Sequence, residues 1–392
     1  MQFSPYLLIA IITSMTFAIA AFGAGLSLRL SRRDQGVFLS SFLGLYAFIK
    51  LDELFLFIEG YAHFPHLLGV VFPLKLLLGP TIYFYTRSLV SPDAIWLTRK
   101  DWPALIAPTA ALLVALPYYI LSSEQKIALM SPETRDPEFY AAALLGCKIG
   151  FGLFLISSLA YLCGSQRLFQ THERKLRDLF SRIDDKTVDW LRWIILILAV
   201  GWSGYAISEV WAIQGGRPVS VLFVFQSFEL VWIGAIAFFG VAQRPVAVAI
   251  TVASSSTFRR SSLNENRMAA IARKLDHAMA QQRLFERPSL SLRDVSDAVN
   301  VSENHLSETF SKHFGINFFD YVNGHRISHA CILLENDDTS VLEAALECGF
   351  NSRSTFNAAF KKHVGATPTQ FRKGLRSSQF DKGAPDRPVL AD

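Results

Sequence analysis

Apolar residues dominate the first 240 positions in runs rather than in an alternating or 3.6-residue pattern. Seven stretches approach the ~20 residues that a helix needs to cross a bilayer: Tyr6–Leu28, Val37–Ile58, His66–Thr86, Trp102–Leu121, Phe139–Cys163, Leu191–Ile213 and Val219–Ala242. Pro80, Pro108 and Pro117 fall within or near the ends of these runs, which membrane helices tolerate better than soluble ones. A soluble all-α core is the competing reading, but runs this long with so few interruptions disfavour it. The first run is not a signal peptide, because no Lys or Arg precedes it and its apolar length exceeds that of a normal h-region.

After Arg244 the pattern changes. "RPVAVAITVASSSTFRRSSL", from Arg244 to Leu263, carries no persistent apolar face and reads as a flexible tether. Met268, Ile271, Leu275 and Met279 then recur at helical spacing between Asn264 and Phe285. That stripe packs on its own domain or forms a dimer seam; about three turns are too few for a coiled coil.

Further on, one pattern occurs twice. Ser302, Leu306, Phe310, Lys312, His313, Gly315 and Tyr321 stand fifty residues before Ser352, Phe356, Phe360, Lys362, His363, Gly365 and Phe371. An offset held at seven positions marks an internal duplication. In each copy a short helix comes first, Leu292–Val299 or Val341–Cys348, opened by the capping-box words "SLRD" and "SVLE". A turn at Asn300 or Gly349 follows, both residue types that tolerate positive φ. A second helix starts on Ser302 or Ser352 as N-cap and stops at Gly315 or Gly365. Two such helix-turn-helix units, joined by a helical run over Phe318–Glu335, form a tandem DNA reader.

Charge orients the apolar half. The loops at 28–36, 87–101 and 164–192 hold three, three and seven basic residues, whereas those at 59–65, 122–138 and 214–218 hold none, two and one. Cytoplasmic loops carry the Lys/Arg excess, so the N-terminus is expected outside and everything after Arg244 in the cytoplasm. Lys50, Asp52, Glu53, Lys75, Lys148, Glu209 and Glu229 lie within the runs, each four to ten residues from the outer end. That is one layer, about 6–15 Å deep at 1.5 Å per residue. Charges there need a reason: an ion-pair network that fixes packing, an outward-opening pocket that receives a signal, or a path for protons or ions.

The net charge of +5 points only weakly to nucleic acid. Cys147, Cys163, Cys331 and Cys348 form no C-x-x-C pair and have no His at zinc spacing, so they read as reduced helix residues. No phosphate loop, G-x-S-x-G elbow or H-E-x-x-H occurs, so neither enzymatic chemistry, a cofactor nor a metal is expected.

Residues from about 286 to 373 resemble the DNA-binding domain of AraC/XylS-type transcription regulators. The matching words are "LSLRDVSDAVNVSENHLSETF", "FDYVNGHRISHACILL" and "GFNSRSTFNAAFKKHVGATPTQFR". "LLLGPTIYFYTRSL" and "FFGVAQRP" resemble a membrane-embedded subgroup of these regulators. Many family members carry Arg where this chain has Glu308 and Ala358, so a wider-family target sequence does not transfer. Arg reads guanine and Glu accepts from cytosine.

The expected architecture is all-α: a seven-span bundle over 1–243, a linker with an amphipathic helix over 244–285, the DNA-binding domain over 286–376 and a tail over 377–392. Candidate base readers are Asn304, Ser307, Glu308, Arg353, Ser354 and Asn357; Glu303 and Ser311 share their exposed face. Lys312, Lys361, Lys362, Arg372 and Lys373 are candidate phosphate contacts, giving affinity without sequence information. Arg326 reads as structural or as a phosphate contact. The expected function is a membrane-bound regulator whose bundle senses a signal and whose tandem reader binds promoter DNA. Other expected partners are the lipid bilayer, RNA polymerase and a second copy of the chain. A transporter fused to a regulator, or a passive anchor for the reader, are the alternatives.

Overall fold

The computed structural model describes residues 5–30, 33–90, 97–130, 133–183, 189–215, 218–243, 263–336 and 338–382. The tether before Leu263, the tail beyond Lys382 and the Glu209 side chain lie outside the described residues. Among the described residues every regular element is helical, and strand pairing is limited to one isolated bridge between Phe180 and Ser291.

The chain divides into two compact units. The first comprises residues 1–172 and 188–248, and the second residues 173–187 and 249–392.

In the first unit α1 (Pro5–Leu30) packs on α2 (Arg33–Phe57) and on α7 (Val219–Ala242). Helix α2 also packs on α3 (Leu78–Val90), and α7 on α6 (Asp189–Gly215). The remaining long helices are α4 (Ile106–Tyr119) and α5 (Pro137–Leu179). Phe42, Tyr46, Tyr85 and Trp232 lie at the centre of the core, with the Tyr85 hydroxyl donating to the Gly240 carbonyl at 3.2 Å.

Among the described residues, four helices are long and apolar enough to cross a membrane: Tyr6–Leu30, Arg99–Tyr119, Pro137–Leu179 and Val219–Ala242. Pro65–Lys75 and Leu78–Val90 form a fifth if the pair, bent by 41°, is one span. The bend has a local cause. Pro80 has no N–H for the Leu76 carbonyl and its ring crowds that carbonyl, so the helix breaks at residues 76–77. The other two expected spans are also helical, but less apolar: α2 contains Lys50, Asp52 and Glu53, and in α6 the apolar part is Trp190–Gly204. Outward-facing positions remain apolar: Phe22, Ile156, Val200, Val231 and Phe238 are 70–72% exposed.

The second unit begins with α8 (Glu265–Gln282), where the Asn264 side chain accepts from the Arg267 amide at 3.0 Å. Its stripe of Met268, Ile271, Leu275 and Met279 is buried with Val295, Leu306, Phe310 and Phe318, so it belongs to its own unit's core. Helices α9 (Leu292–Val299) and α10 (Glu303–Thr309) close this core. A wider π-type turn over Phe310–Phe314 extends α10 to Gly315.

A separate core forms around α12 (Val341–Glu347) and α13 (Arg353–Val364), with α14 (Pro368–Lys382) beside them. Helix α11 (Phe318–Glu335) serves both cores: Phe318, Tyr321 and Val322 lie in the first, Ile327, Ala330 and Leu334 in the second.

The turn between α12 and α13 depends on glycine. Gly349 sits at φ +82°, and a Cβ there would lie 2.6 Å from the Glu286 carbonyl oxygen. Gly349→Ala is expected to cost about 2–5 kcal/mol, from the left-handed backbone and the clash together. A thermal melt of the full chain followed by hydrogen exchange in α12 and α13 checks it; unchanged protection would refute the constraint.

Candidate nucleic-acid interface and charged cavity

Each expected recognition helix is fixed at its start by a serine cap. Ser302 Oγ accepts from the His305 amide at 3.4 Å, and Ser352 Oγ from the Thr355 amide at 3.2 Å. The helices before them carry full capping boxes, Ser291 with Asp294 and Ser340 with Glu343. Asn300 at φ 51° and Gly349 at φ 82° make the turns, and Gly315 and Gly365 end the second helices in left-handed conformation. Leu306, Phe310, Phe356 and Phe360 are buried almost completely, so the opposite faces of α10 and α13 are the ones presented outward.

Those two faces differ in charge. On α10, Ser307 is exposed and Asn304 half-buried. The Glu308 carboxylate accepts from Lys312 Nζ at 2.7 Å, and this bond holds it below the usual carboxylate range. Burial pushes the Glu303 carboxyl up. On α13, Arg353, Ser354 and Lys361 are exposed and Asn357 half-buried. Arg353 and Lys361 form no ion pair among the described residues.

The other expected phosphate contacts are engaged within the unit. Lys362 Nζ lies 2.6 Å from the Asp320 carboxylate, and Lys312 is held by Glu308. Arg372 is half-buried and donates to the Thr339 carbonyl, tying α14 to the loop before α12. Lys373 is exposed. The readily available positive charge is therefore on α13, so α13 is the stronger candidate for drawing the duplex in.

Sequence reasoning missed one component of this unit. Residues 173–183 pack within it: Leu176 and Ile183 form a small core with Leu179, Phe180 and Phe319. The Ser181 amide donates to the Leu290 carbonyl at 3.0 Å, next to the cap of α9. Arg326 donates to Ser181 as well as to Phe285 and Arg287. The basic loop 164–192 betrayed only its charge; nothing in its local pattern says that it inserts into the reader.

The first unit contains a cavity of about 350 Å³. Of the expected charged layer, Glu53, Lys75, Lys148 and Glu229 line it. Lys50 lies fully buried behind them, donating to Glu53 Oε2 at 2.8 Å, to Gln226 Oε1 at 3.1 Å and to Glu229. Asp52 is not in the lining and accepts from the Tyr61 hydroxyl. Charge alone could not have found the apolar wall, which includes Phe154, Trp202, Phe228 and Trp232. Nor could it have found Gln226, whose amide joins Lys50 and Glu53.

Residues 295–374 match the helix-turn-helix domain family. An uncharacterised HTH-type transcriptional regulator of Staphylococcus aureus strain COL is 39% identical over 83 residues, which are 21% of this chain and 11% of that protein. The melibiose operon regulatory protein of Escherichia coli strain K12 is 35% identical over 85 residues, 22% of this chain and 28% of that protein. Among solved structures, the C-terminal domain of AraT, a response regulator from Geobacillus stearothermophilus, is 27% identical. It covers 29% of this chain and 88% of its own, at a TM-score of 0.25. The chain thus spans between a tenth and a little over a quarter of the length of these curated relatives. The matched region is a helix-turn-helix domain, and the relatives are an HTH-type transcriptional regulator and an operon regulatory protein.

Proposed function

We propose that the chain is a membrane-bound, sequence-specific transcription regulator of the AraC/XylS type. The first unit is its multi-pass anchor and sensor in the bacterial inner membrane, and the second its cytoplasmic promoter reader. The observation that carries the reading is the pair of serine-capped helices, α10 and α13, built on one shared helix, with readable side chains outward. Two such helices on one domain suit successive major grooves, about 34 Å apart. Asn304, Ser307, Glu308, Arg353, Ser354 and Asn357 are the proposed base readers, and Lys361, Lys373, Lys312 and Lys362 the phosphate contacts. Lys312 and Lys362 must exchange Glu308 and Asp320 for phosphate when they do so.

The membrane half of the proposal draws on the apolar outer faces of α1, α5, α6 and α7 and on the basic loops. Its seven-span topology counts α2, the bent pair and α6 as crossings. A reporter fused after Asp392 is expected to be active only in the cytoplasm; activity confined to the periplasm would overturn the arrangement. To act as a sensor the first unit must bind its signal unequally in two packings. Helix α5 supplies the connection, because it begins in the first unit and its last turns, from Glu173, are part of the reader's unit. Promoter DNA is the principal partner; RNA polymerase and a second copy of the chain are proposed with it.

Binding is tested with full-length protein in lipid nanodiscs, using duplex selection at low salt. Arg353→Ala is expected to relax preference at one base position, at a cost of about 1–3 kcal/mol. Lys361→Ala is expected to weaken all duplexes alike and to reduce the salt slope by about 0.9. Retention of no duplex at low salt would refute the reading.

A further inference from the structure

We infer that the cavity of the first unit takes a small amphipathic anion, with a carboxylate or phosphate head group between Lys75 and Lys148 and an apolar body against the aromatic wall. The inference rests on the sensing role proposed above and names the chemical class of the signal.

Charge decides the head group. Glu53 and Glu229 are both engaged by Lys50, so these three side chains together hold one net negative charge. Lys75 and Lys148 add two positive charges, which leaves these five described side chains at plus one. Neither Lys75 nor Lys148 has a hydrogen bond or ion pair among the described residues. An ammonium group at membrane depth without a counter-ion is costly. A bound monoanion cancels the excess; a cation would add to it, and a neutral amphiphile would leave it in place.

Shape decides the body. The volume, about 350 Å³, falls at the small end of the range for ligand sites. Trp202, Trp232 and Phe228 offer flat apolar surface, and Phe72 and Phe154 complete it. Two glycines give the rings their room: a Cβ on Gly150 would meet Phe72 Cζ at 1.7 Å, and one on Gly201 would meet Phe228 Cε1 at 2.5 Å. Lys75 ends the short helix Val71–Lys75, whereas Lys148 lies on α5. One head group between them therefore ties α5 to the rest of the unit, and α5 is the helix whose last turns, from Glu173, belong to the second unit.

The test uses full-length protein in nanodiscs of zwitterionic lipid, with 11-bromoundecanoate as a quencher of tryptophan fluorescence. Saturable quenching is expected, displaced by decanoate and by decyl phosphate. Decyltrimethylammonium, decyl maltoside and inorganic phosphate alone are expected not to displace it. Lys75→Gln with Lys148→Gln should weaken binding at least tenfold, and Gly201→Val, which drives Phe228 into the cavity, should abolish saturation. Monodispersity and a parental melting temperature of the first unit in detergent show that these variants fold. Nanodiscs with an added anionic lipid separate two sources: loss of quenching there assigns the head group to the bilayer, and no loss assigns it to a free amphiphile. Equal displacement by the cation or the neutral amphiphile, or undiminished binding by the lysine variant, would overturn the inference. Duplex affinity is measured separately with and without decanoate. Binding of decanoate without any change there would refute the sensing role and leave the ligand class standing.

Discussion

Arg326→Met is expected to melt the second unit well below the first, and DNA binding should disappear with it. Arg326 is 2% exposed and sits in the middle of α11, between the residues that serve the two cores. Its Nε donates to the Phe285 carbonyl at 2.7 Å and its Nη2 to the Arg287 carbonyl at 2.8 Å. Nη1 reaches the Ser181 carbonyl and Nη2 the Ser181 hydroxyl, both at 3.3 Å. These acceptors are all neutral, and the Phe350 ring lies 5.5 Å from the guanidinium carbon. Burial pulls the Arg326 pKa down to about 10, so the side chain is still a cation at neutral pH.

Methionine fills much of the same space but supplies no donor. The Phe285 and Ser181 carbonyls would then be buried without partners, at about 1–3 kcal/mol each if unrelaxed, while the Arg287 carbonyl would keep the Leu290 amide. A net loss of about 3–5 kcal/mol is a large part of the 5–15 kcal/mol that holds a typical domain. Lysine is no substitute, because one ammonium cannot span a fork that serves two other chain segments. Hydrogen exchange along α11 in the full-length protein reads the loss directly. The same geometry predicts that an isolated 264–376 fragment is weakened by the absence of Ser181. A synthetic 173–187 peptide is then expected to raise its melting temperature, since a ligand for the folded state stabilises it. Wild-type exchange in the methionine variant, or a fragment indifferent to the peptide, would show that the clamp does not matter.

The reader was legible from its sequence because its signals are local. Ser291, Ser302, Ser340 and Ser352 cap helices in the places that their spacing to Asp294, His305, Glu343 and Thr355 implies. The fifty-residue repeat fixes the second copy once the first is seen. Phe318–Glu335 emerged with the expected bounds, since Asn317 caps its start and Asn336 ends it. What escaped was non-local. Arg326 looks like any helix arginine until residues 39 to 145 positions away enclose it. The stripe of α8 fits a dimer seam as well as a core until Leu306 and Phe310 are placed against it. In the apolar half, composition gives the helices but not their breaks: Pro80 divides the third run, and the charges of α2 keep it from reading as an ordinary span. Likewise, the charged layer gave the polar residues of the cavity, while the aromatic residues that shape it were invisible among 32 phenylalanines and seven tryptophans.

Lys50→Met is expected to collapse the first unit more severely than any other single change in the charged layer. Lys50 is fully buried, whereas Glu53 and Glu229 each keep over a quarter of their side-chain surface open toward the cavity. One ammonium therefore engages two carboxylates and satisfies the Gln226 carbonyl. Without it two acids face each other in an apolar bundle, and breaking such a buried pair costs about 3–5 kcal/mol. Much of that cost is the uncompensated charge rather than lost attraction, so a compensating change should recover it. Lys50→Met combined with Glu53→Gln and Glu229→Gln removes every charge of the group and keeps its shape, and replacement of a buried ionic group by neutral residues is often tolerated. Monodispersity and half-melting temperature of the detergent-solubilised protein should fall sharply in the single variant and return most of the way in the triple. A triple variant no better than the single one would mean that Lys50 acts through its specific hydrogen bonds and not through charge balance. A single variant as stable as the parent would mean that the layer is solvated and does not hold the bundle. In that case the head-group argument for Lys75 and Lys148 would lose its premise too, because water in the cavity would already screen them.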